Sequence, residues 1–434
     1  MSTRKTVISC AVVAGALVLP ACGSPSDAMS EGEGGEGSVT LVMSNHPFQR
    51  GIEPLIPEFE EETGIQVDVQ TFAEQQARDK IQLNLQSKSS AMDVFMTLPS
   101  REGPLFATSG YYEPLDDYIS GAPSEYDADD FSRGAIDGMK VDGTTYAVPV
   151  NVEGPVLYYR TDLFDEWGLT PPETLTELLD TAAEIADRDP GITPITLRGA
   201  AAALPFTFGT FVHGNGVEFT DDQGAPNFDE PGAVEAIDQY ATLARESGPP
   251  GVINYSFTES STLFAQGKAA MMLESSNELN SVADPGSSTV TEHIGIVPVP
   301  AGSAGPAPTV LSWGLAMSPH SENKEAAWQF LEWATSPETQ LALTEADIAP
   351  PRASVAEDPA YTDTLDTPTQ QAWREAVADL QENGNVEVGP VGSNAPAMRQ
   401  VIGDAVGKVI LGEATPEDAA AEIQSGLEPL LADG

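Results

Sequence analysis

Residues 39–69 constrain the fold more than any other stretch of the chain. Val39, Leu41 and Met43 alternate as a strand, and Ile52, Leu55, Ile56 and Phe59 fall at i, i+3, i+4 and i+7, one face of a helix. Gly64 stops the helix, and Ile65, Val67 and Val69 alternate again. A strand–helix–strand opening needs a crossover and implies a parallel α/β sheet. Ligands of such sheets bind beyond the carboxyl ends of the strands. Asn45 and His46, which follow the first strand, are therefore candidate ligand contacts.

The rest of the chain extends this pattern without a fixed-period repeat. Ala73 to Lys88 is helical, Asp93–Met96 is a short buried strand, and Asp142-Gly143 reads as a tight hairpin turn. Val148–Val150 and Pro155–Tyr159 are short Val- and Tyr-rich strands around a polar patch, Asn151 and Glu153. Pro171-Pro172 then halts extension, and Thr174 with Glu177 three residues on forms a capping box for a helix with Leu175, Leu178, Leu179, Ala182 and Ala183 on one face. Later, Gly267 ends a helix and releases a buried strand that terminates at Glu274, Ile294–Pro300 is another strand, and helices cover Met398–Ile410 and the stretch after Thr415-Pro416.

With 434 residues the chain exceeds one ordinary core and suits two lobes. Its net charge of −48, from 19 basic and 67 acidic residues, repels phosphate backbones and excludes nucleic acid as a partner. The 41 % hydrophobic content separates it from disordered acidic tails. Arg4 and Lys5 precede an apolar run, Val7–Leu19, too short for a permanent membrane helix, and Leu19-Pro20-Ala21-Cys22 follows. This resembles a lipoprotein signal in which Cys22 is lipidated; the alternative is an ordinary secretory signal with a chance Cys. Residues 1–21 are then the signal and 22–37, rich in Gly, Ser and Glu, a flexible tether. The only other cysteine is Cys10, so the mature chain has no thiol for a disulfide, a metal or a nucleophile. The expected location is the outer face of the cell membrane.

Several ordered segments resemble one family. They are Val148–Glu177 (VPVNVEGPVLYYRTDLFDEWGLTPPETLTE), Pro57–Val69 with its P-x-F-E-x-E-T-G-I-x-V-x-V pattern, Asp93–Met96, and Tyr111–Tyr118. Together they are similar to the family 1 extracellular solute-binding proteins, the maltose-binding-like receptors of ABC sugar importers. Asn45-His46-Pro47, Leu197-Arg198-Gly199, Gly248-Pro249-Pro250-Gly251 with Phe257-Thr258-Glu259, FAQGKAAM (264–271) and Trp333–Ser336 narrow the resemblance to the sorbitol/mannitol-type branch. Asn151–Gly154 and Leu311–Gly314 depart from the more aromatic segments of that branch, which implies a smaller or differently shaped ligand.

The resemblance implies a type II periplasmic binding-protein fold: two discontinuous α/β lobes, a multi-crossing hinge, and a cleft that closes on ligand. Crossings are expected near Val150, Phe264 and Ser312. That assigns residues 38–150 plus 260–311 to the first lobe and 151–259 plus 312–434 to the second. Partners implied are an ABC permease and a small sugar or polyol, with the receptor a monomer.

The chain has no G-x-S-x-G elbow, P-loop, H-E-x-x-H or dinucleotide fingerprint, and its four His are scattered without ligand spacing. No metal, cofactor or catalytic residue is expected. Polyols need flat apolar faces together with planar hydrogen-bonding groups. Trp313, at a crossing among small residues, is a candidate for the first role, with hinge packing as its alternative. Trp328 and Trp333 sit in a helical apolar pattern and read as packing residues. Of Tyr158 and Tyr159 at most one faces ligand, and Tyr158 is the candidate. By resemblance Glu153, Arg198, Glu274, Asn277, Glu74 and Gln75 take polar roles, while Arg352 is structural. Two rivals remain: an exported carbohydrate-active enzyme on the same fold, and a receptor for another solute. Arg198 and Arg352 converging on the cleft without a Trp face would favour the latter.

Overall fold

The computed structural model describes residues 37–432 apart from 222, 347 and 393. The expected signal, Cys22 and the expected tether up to residue 36 lie outside the described residues. The strands in chain order are β1 (Ser38–Ser44), β2 (Gln66–Phe72), β3 (Val94–Thr97), β4 (Lys140–Val141), β5 (Thr144–Thr145) and β6 (Val148–Pro149). They continue with β7 (Pro155–Arg160), β8 (Thr193–Thr196), β9 (Ala269–Ser275), β10 (Ile294–Pro298) and β11 (Gly314–Met317).

The opening strand–helix–strand forms as expected. β1 and β2 pair in parallel with Val39 opposite Val67 and Leu41 opposite Val69, and β3 adds in parallel on the other side of β1. The intervening helix is not continuous. Pro54 and Pro57 split it into helices Pro47–Ile52 and Ile56–Thr63 with a tight turn between, because proline lacks the N–H that an unbroken ladder needs. Ile52, Ile56 and Phe59 are still buried. The hairpin β4–β5 turns at Asp142 and Gly143 with φ of +50° and +80°, the left-handed pair a two-residue hairpin requires. The helix Leu175–Arg188 carries its capping box: the Glu177 N–H donates to Thr174 Oγ1 at 3.2 Å, and the Thr174 N–H to Glu177 Oε2 at 3.2 Å.

Two mixed sheets build two lobes. The first has the order β2-β1-β3-β11-β6, and the second β10-β7-β9-β8. In each, parallel strands meet antiparallel ones: β11 runs against β3 and β6, and β7 against β9 and β10. Every residue of β9 is buried, since helices cover both faces of its sheet. One face packs Leu178, Ile185, Tyr240, Met271 and Ile402; the other packs Tyr158, Met272, Phe264 and Trp373. This is the type II binding-protein architecture that the resemblance implied.

The lobe boundaries differ from expectation. β9 and β10 belong to the second sheet beside β7, and β11 to the first beside β3. Residues 260–311 were thus assigned to the wrong lobe, and so was the β11 strand that follows them. The crossings at Val150 and Ser312 exist, but Phe264 lies inside the helix Phe257–Ala265 of the second lobe. A third strap passes through Ala349. The reason is physical: a strand buried on both faces is a plain apolar run, and AAMML reads the same in either sheet.

The crossing segments are tied to one another. Glu153 and Leu311 exchange both backbone hydrogen bonds, 2.9 and 2.8 Å, the Val150 N–H donates to the Trp313 carbonyl at 2.8 Å, and the Val152 N–H to the Ala349 carbonyl at 3.1 Å. Asn151 is fully buried; its Oδ1 accepts the Trp313 N–H at 2.9 Å, and its carbonyl accepts the Ser312 hydroxyl. A Cβ at Gly154 would lie 2.3 Å from the Thr309 carbonyl oxygen, so only glycine allows this approach.

Candidate functional site

The hinge places Glu153 and Trp313 side by side at the floor of the cleft. Trp313 is 7 % exposed, and its indole N–H donates to Glu153 Oε1 at 3.0 Å. Glu153, 8 % exposed, accepts at Oε2 from the Ser275 hydroxyl at 2.8 Å and the Asn277 amide at 2.6 Å. One carboxylate therefore joins the crossing segments to the end of β9. All its donors are neutral, and burial pushes the Glu153 carboxyl up to about 7 against the opposing pull of Ser275, Arg198 and Trp313.

Glu274, one residue before that end, is fully enclosed. Arg198, released by the turn after β8, donates from Nε to both its oxygens at 2.9 and 3.0 Å and from Nη2 to Oε1. The guanidinium lies 4.0 Å over the Phe206 ring. Burial would lower Arg198, but Glu274 reverses the balance and holds it above its ordinary value. Glu278 beside them is raised by burial and by Glu274.

A cavity of about 400 Å³ opens above this floor. From the first lobe Asn45, His46, Glu74, Arg101 and Trp313 line it, and from the second Arg198, Phe206, Phe257, Asn277 and Arg399, with Glu153 at the crossing between them. An adjoining cavity of about 270 Å³ is lined by Gln75, Arg78, Met96, Phe106 and Ala202, and shares Arg101 and Arg399 with the first. His46 caps the helix Pro47–Ile52, accepting the Phe48 N–H at Nδ1 over 3.1 Å. Burial and the nearby Arg50 push it down to about 3, so the imidazole is neutral with its proton on Nε2. Its ring lies 5.4 Å from that of Trp313, and the Arg78 and Arg101 guanidinia lie 5.6 and 5.9 Å from the same indole.

Seven of the ten residues singled out in the sequence thus share one cavity: Asn45, His46, Glu74, Glu153, Arg198, Asn277 and Trp313. Gln75 lines the neighbouring cavity and donates to Asp79 at 2.9 Å. Glu274 lines neither cavity and reaches the site through Arg198 and the Ser275 N–H. Tyr158 is not in the cleft: it is fully buried, and its hydroxyl donates to the carbonyls of Ser275 and Ser276 at 2.8 and 3.1 Å. Tyr159, on the other face, packs on Phe164, because both faces of this strand lie under helices. Arg352 is fully buried and lines neither cavity, donating to the carbonyls of Thr335 and Asp127 at 2.7 and 2.8 Å beneath Phe131. Sequence reasoning missed Arg101, Phe206, Phe257 and Arg399. The three-Phe run after Pro205 was the available sign of Phe206; Arg399 sits in an ordinary amphipathic helix, Ala395–Ile410, and gave none.

Known proteins are similar to this chain in sequence and in fold. Residues 45–341 match the family described as bacterial extracellular solute-binding protein. A mannitol-binding protein of Pseudomonas aeruginosa is 31 % identical over 311 residues, 70 % of each chain. An erythritol/L-threitol-binding protein of Mycolicibacterium smegmatis is 28 % identical over 84 % of this chain and 86 % of its own. In structure, an ABC transporter solute-binding protein of Agrobacterium radiobacter K84 in complex with ribitol superposes with a TM-score of 0.79 at 28 % identity, covering 91 % of this chain and 98 % of the other.

Proposed function

We infer the function from one premise: the chain belongs to the bacterial extracellular solute-binding protein family. It is the substrate receptor of an ABC transporter, and its ligand is a small sugar or sugar alcohol. The observation that carries this is the Trp313–Glu153–Asn277 constellation, which sets an aromatic face and directed hydrogen-bonding groups in one cavity between two lobes. At about 400 Å³ the cavity is at the small end of ligand sites, roughly 300–1,000 Å³, suited to a monomeric polyol. Relatives that bind mannitol, erythritol and ribitol support the same class.

Asn45, His46, Glu74, Glu153, Arg198, Asn277 and Trp313 act as ligand contacts in this reading. The Glu153 carboxylate has a lone pair left beyond its three donors, and Glu274 fixes Arg198. Closure of the lobes about the tied crossings buries the ligand and presents a composite surface to the permease. No bond is broken: the oxygens of Glu153 and Glu274 are engaged by hydrogen-bond donors, which suits holding a ligand better than acid–base work at a scissile bond. Trp313 in the cleft and Arg352 away from it weigh against the other-solute rival. The receptor is tethered to the outer face of the membrane through lipid on Cys22; replacement by Ser should release it from the membrane fraction, and retention there would remove the anchor from the account.

Thermal unfolding of the protein against mannitol, sorbitol, ribitol, erythritol and maltose tests the ligand class. A ligand that binds only the folded state adds about 2.7 kcal/mol of stability at a hundred times its Kd and so raises Tm. A rise with one or a few polyols is expected, and a flat panel would sink the assignment.

A further inference from the structure

The chain has 19 Lys and Arg against 67 acids, yet five arginines and no lysine line the cleft and the cavity beside it: Arg50, Arg78, Arg101, Arg198 and Arg399. Four have side-chain partners. Arg78 and Arg101 share Glu74 and Glu102 in a closed quartet, Arg198 is clamped by Glu274, and Arg50 donates to Asn45 Oδ1 at 2.9 Å. Arg399 differs. Its donors meet two carbonyls, Val388 at 3.0 Å and Ala202 at 3.5 Å, and among the described residues it forms no ion pair. In so acidic a protein a half-buried cation without a carboxylate partner is conspicuous.

Its position gives it a use. Arg399 stands on the wall common to both cavities, and a guanidinium has five donors in a rigid fork, of which two carbonyls occupy two. Burial, with Arg198 and Arg78 nearby, lowers it to about 10, which still leaves it charged at neutral pH. The cleft acids facing it oppose little: Glu74 is neutralised within the quartet, and burial favours the uncharged forms of Glu153 and Glu278. The net charge of −48 repels an anion at a distance, but salt screens that field beyond about 8 Å.

We propose that the Arg399 corner is a subsite for a terminal oxyanion, so that the preferred ligand is a polyol chain ending in a carboxylate or a phosphate. This rests on the polyol-receptor reading and narrows it. The test is calorimetric titration of sorbitol, gluconate and sorbitol 6-phosphate into the wild-type protein and into Arg399→Gln and Arg399→Lys, with Tm recorded for each variant. The wild type is expected to bind one anion at least about tenfold tighter than sorbitol, and the tighter of the two identifies the group. The anion-to-sorbitol ratio should collapse toward one in Arg399→Gln and be partly kept in Arg399→Lys. In the wild type, where folding is not in question, it should also shrink as ionic strength is raised. A wild type that binds sorbitol as tightly as both anions, or a ratio that Arg399→Gln leaves intact, would overturn the subsite while leaving the polyol reading standing. No binding of any of the three would remove the subsite, and a flat response to the whole polyol panel as well would remove the polyol reading with it.

Discussion

Glu153 and Glu274 are buried carboxylates joined by Ser275, yet they are kept in place by opposite means. Glu274 is held by a guanidinium, with Nε and Nη2 of Arg198 reaching its oxygens and the Ser275 N–H adding a bond at 2.8 Å. Glu153 has neutral donors alone, the Trp313 indole, the Ser275 hydroxyl and the Asn277 amide. The first is a structural partner of Arg198. The second is a carboxyl that burial pushes up to about 7, on the lining of the cleft. Identical side chains bridged by Ser275 thus differ in whether a guanidinium bonds them directly.

The largest effect should come from breaking the charged pair. Glu274→Ala leaves Arg198 buried without its partner and is expected to cost about 3–5 kcal/mol, read as a fall in the urea midpoint. A loss under 1 kcal/mol would show that the pair is solvated and that the contrast drawn above is wrong.

Next comes the neutral-donor side. Because the folded carboxyl of Glu153 lies at about 7 against an ordinary 4.5, folding favours its protonated form. The stability this contributes is fully present below pH 4.5 and is lost as pH rises through about 7, by on the order of 3 kcal/mol. Glu153→Gln should therefore match the wild type near pH 4.5 and exceed it in Tm at pH 8. Equal Tm differences at both pH values would contradict the assignment.

A smaller effect sharpens it further. Trp313→Phe keeps an aromatic ring but removes one donor to the charged form of Glu153, worth about 1 kcal/mol. The inflection in the wild-type stability–pH profile should move upward by somewhat less than one pH unit. An unmoved inflection would mean that the indole bond contributes nothing to this carboxylate.

Local rules were legible in the sequence wherever the chemistry is local. The hairpin at Asp142-Gly143 and the capping box of Thr174 and Glu177 follow from neighbouring residues, and the strand–helix–strand order gave the parallel sense of β1 and β2 but not their register. Sheet membership was not: β9 is apolar along its whole length because both its faces are covered, so nothing in AAMML chooses between two sheets. The same burial undid the choice of Tyr158, since alternation selects a ligand face only when one face of the strand is open. Motif likeness pointed to Glu153, and a place at a crossing among small residues to Trp313, but neither showed that the two bond to each other. Arg399 comes from a helix near the C-terminus, about 200 residues from Arg198 in sequence, and only the folded lobe brings them to one cleft.

The most direct test of the central claim, that the Trp313–Glu153 floor holds a polyhydroxylated ligand between the lobes, is isothermal titration of the polyol panel and their anionic forms into wild type and Trp313→Ala at fixed salt. The account predicts saturable one-to-one binding by at least one of them, with a negative heat-capacity change, and a loss of about tenfold or more in affinity in Trp313→Ala. No heat from any of them in folded wild-type protein, or binding that Trp313→Ala leaves untouched, would contradict it.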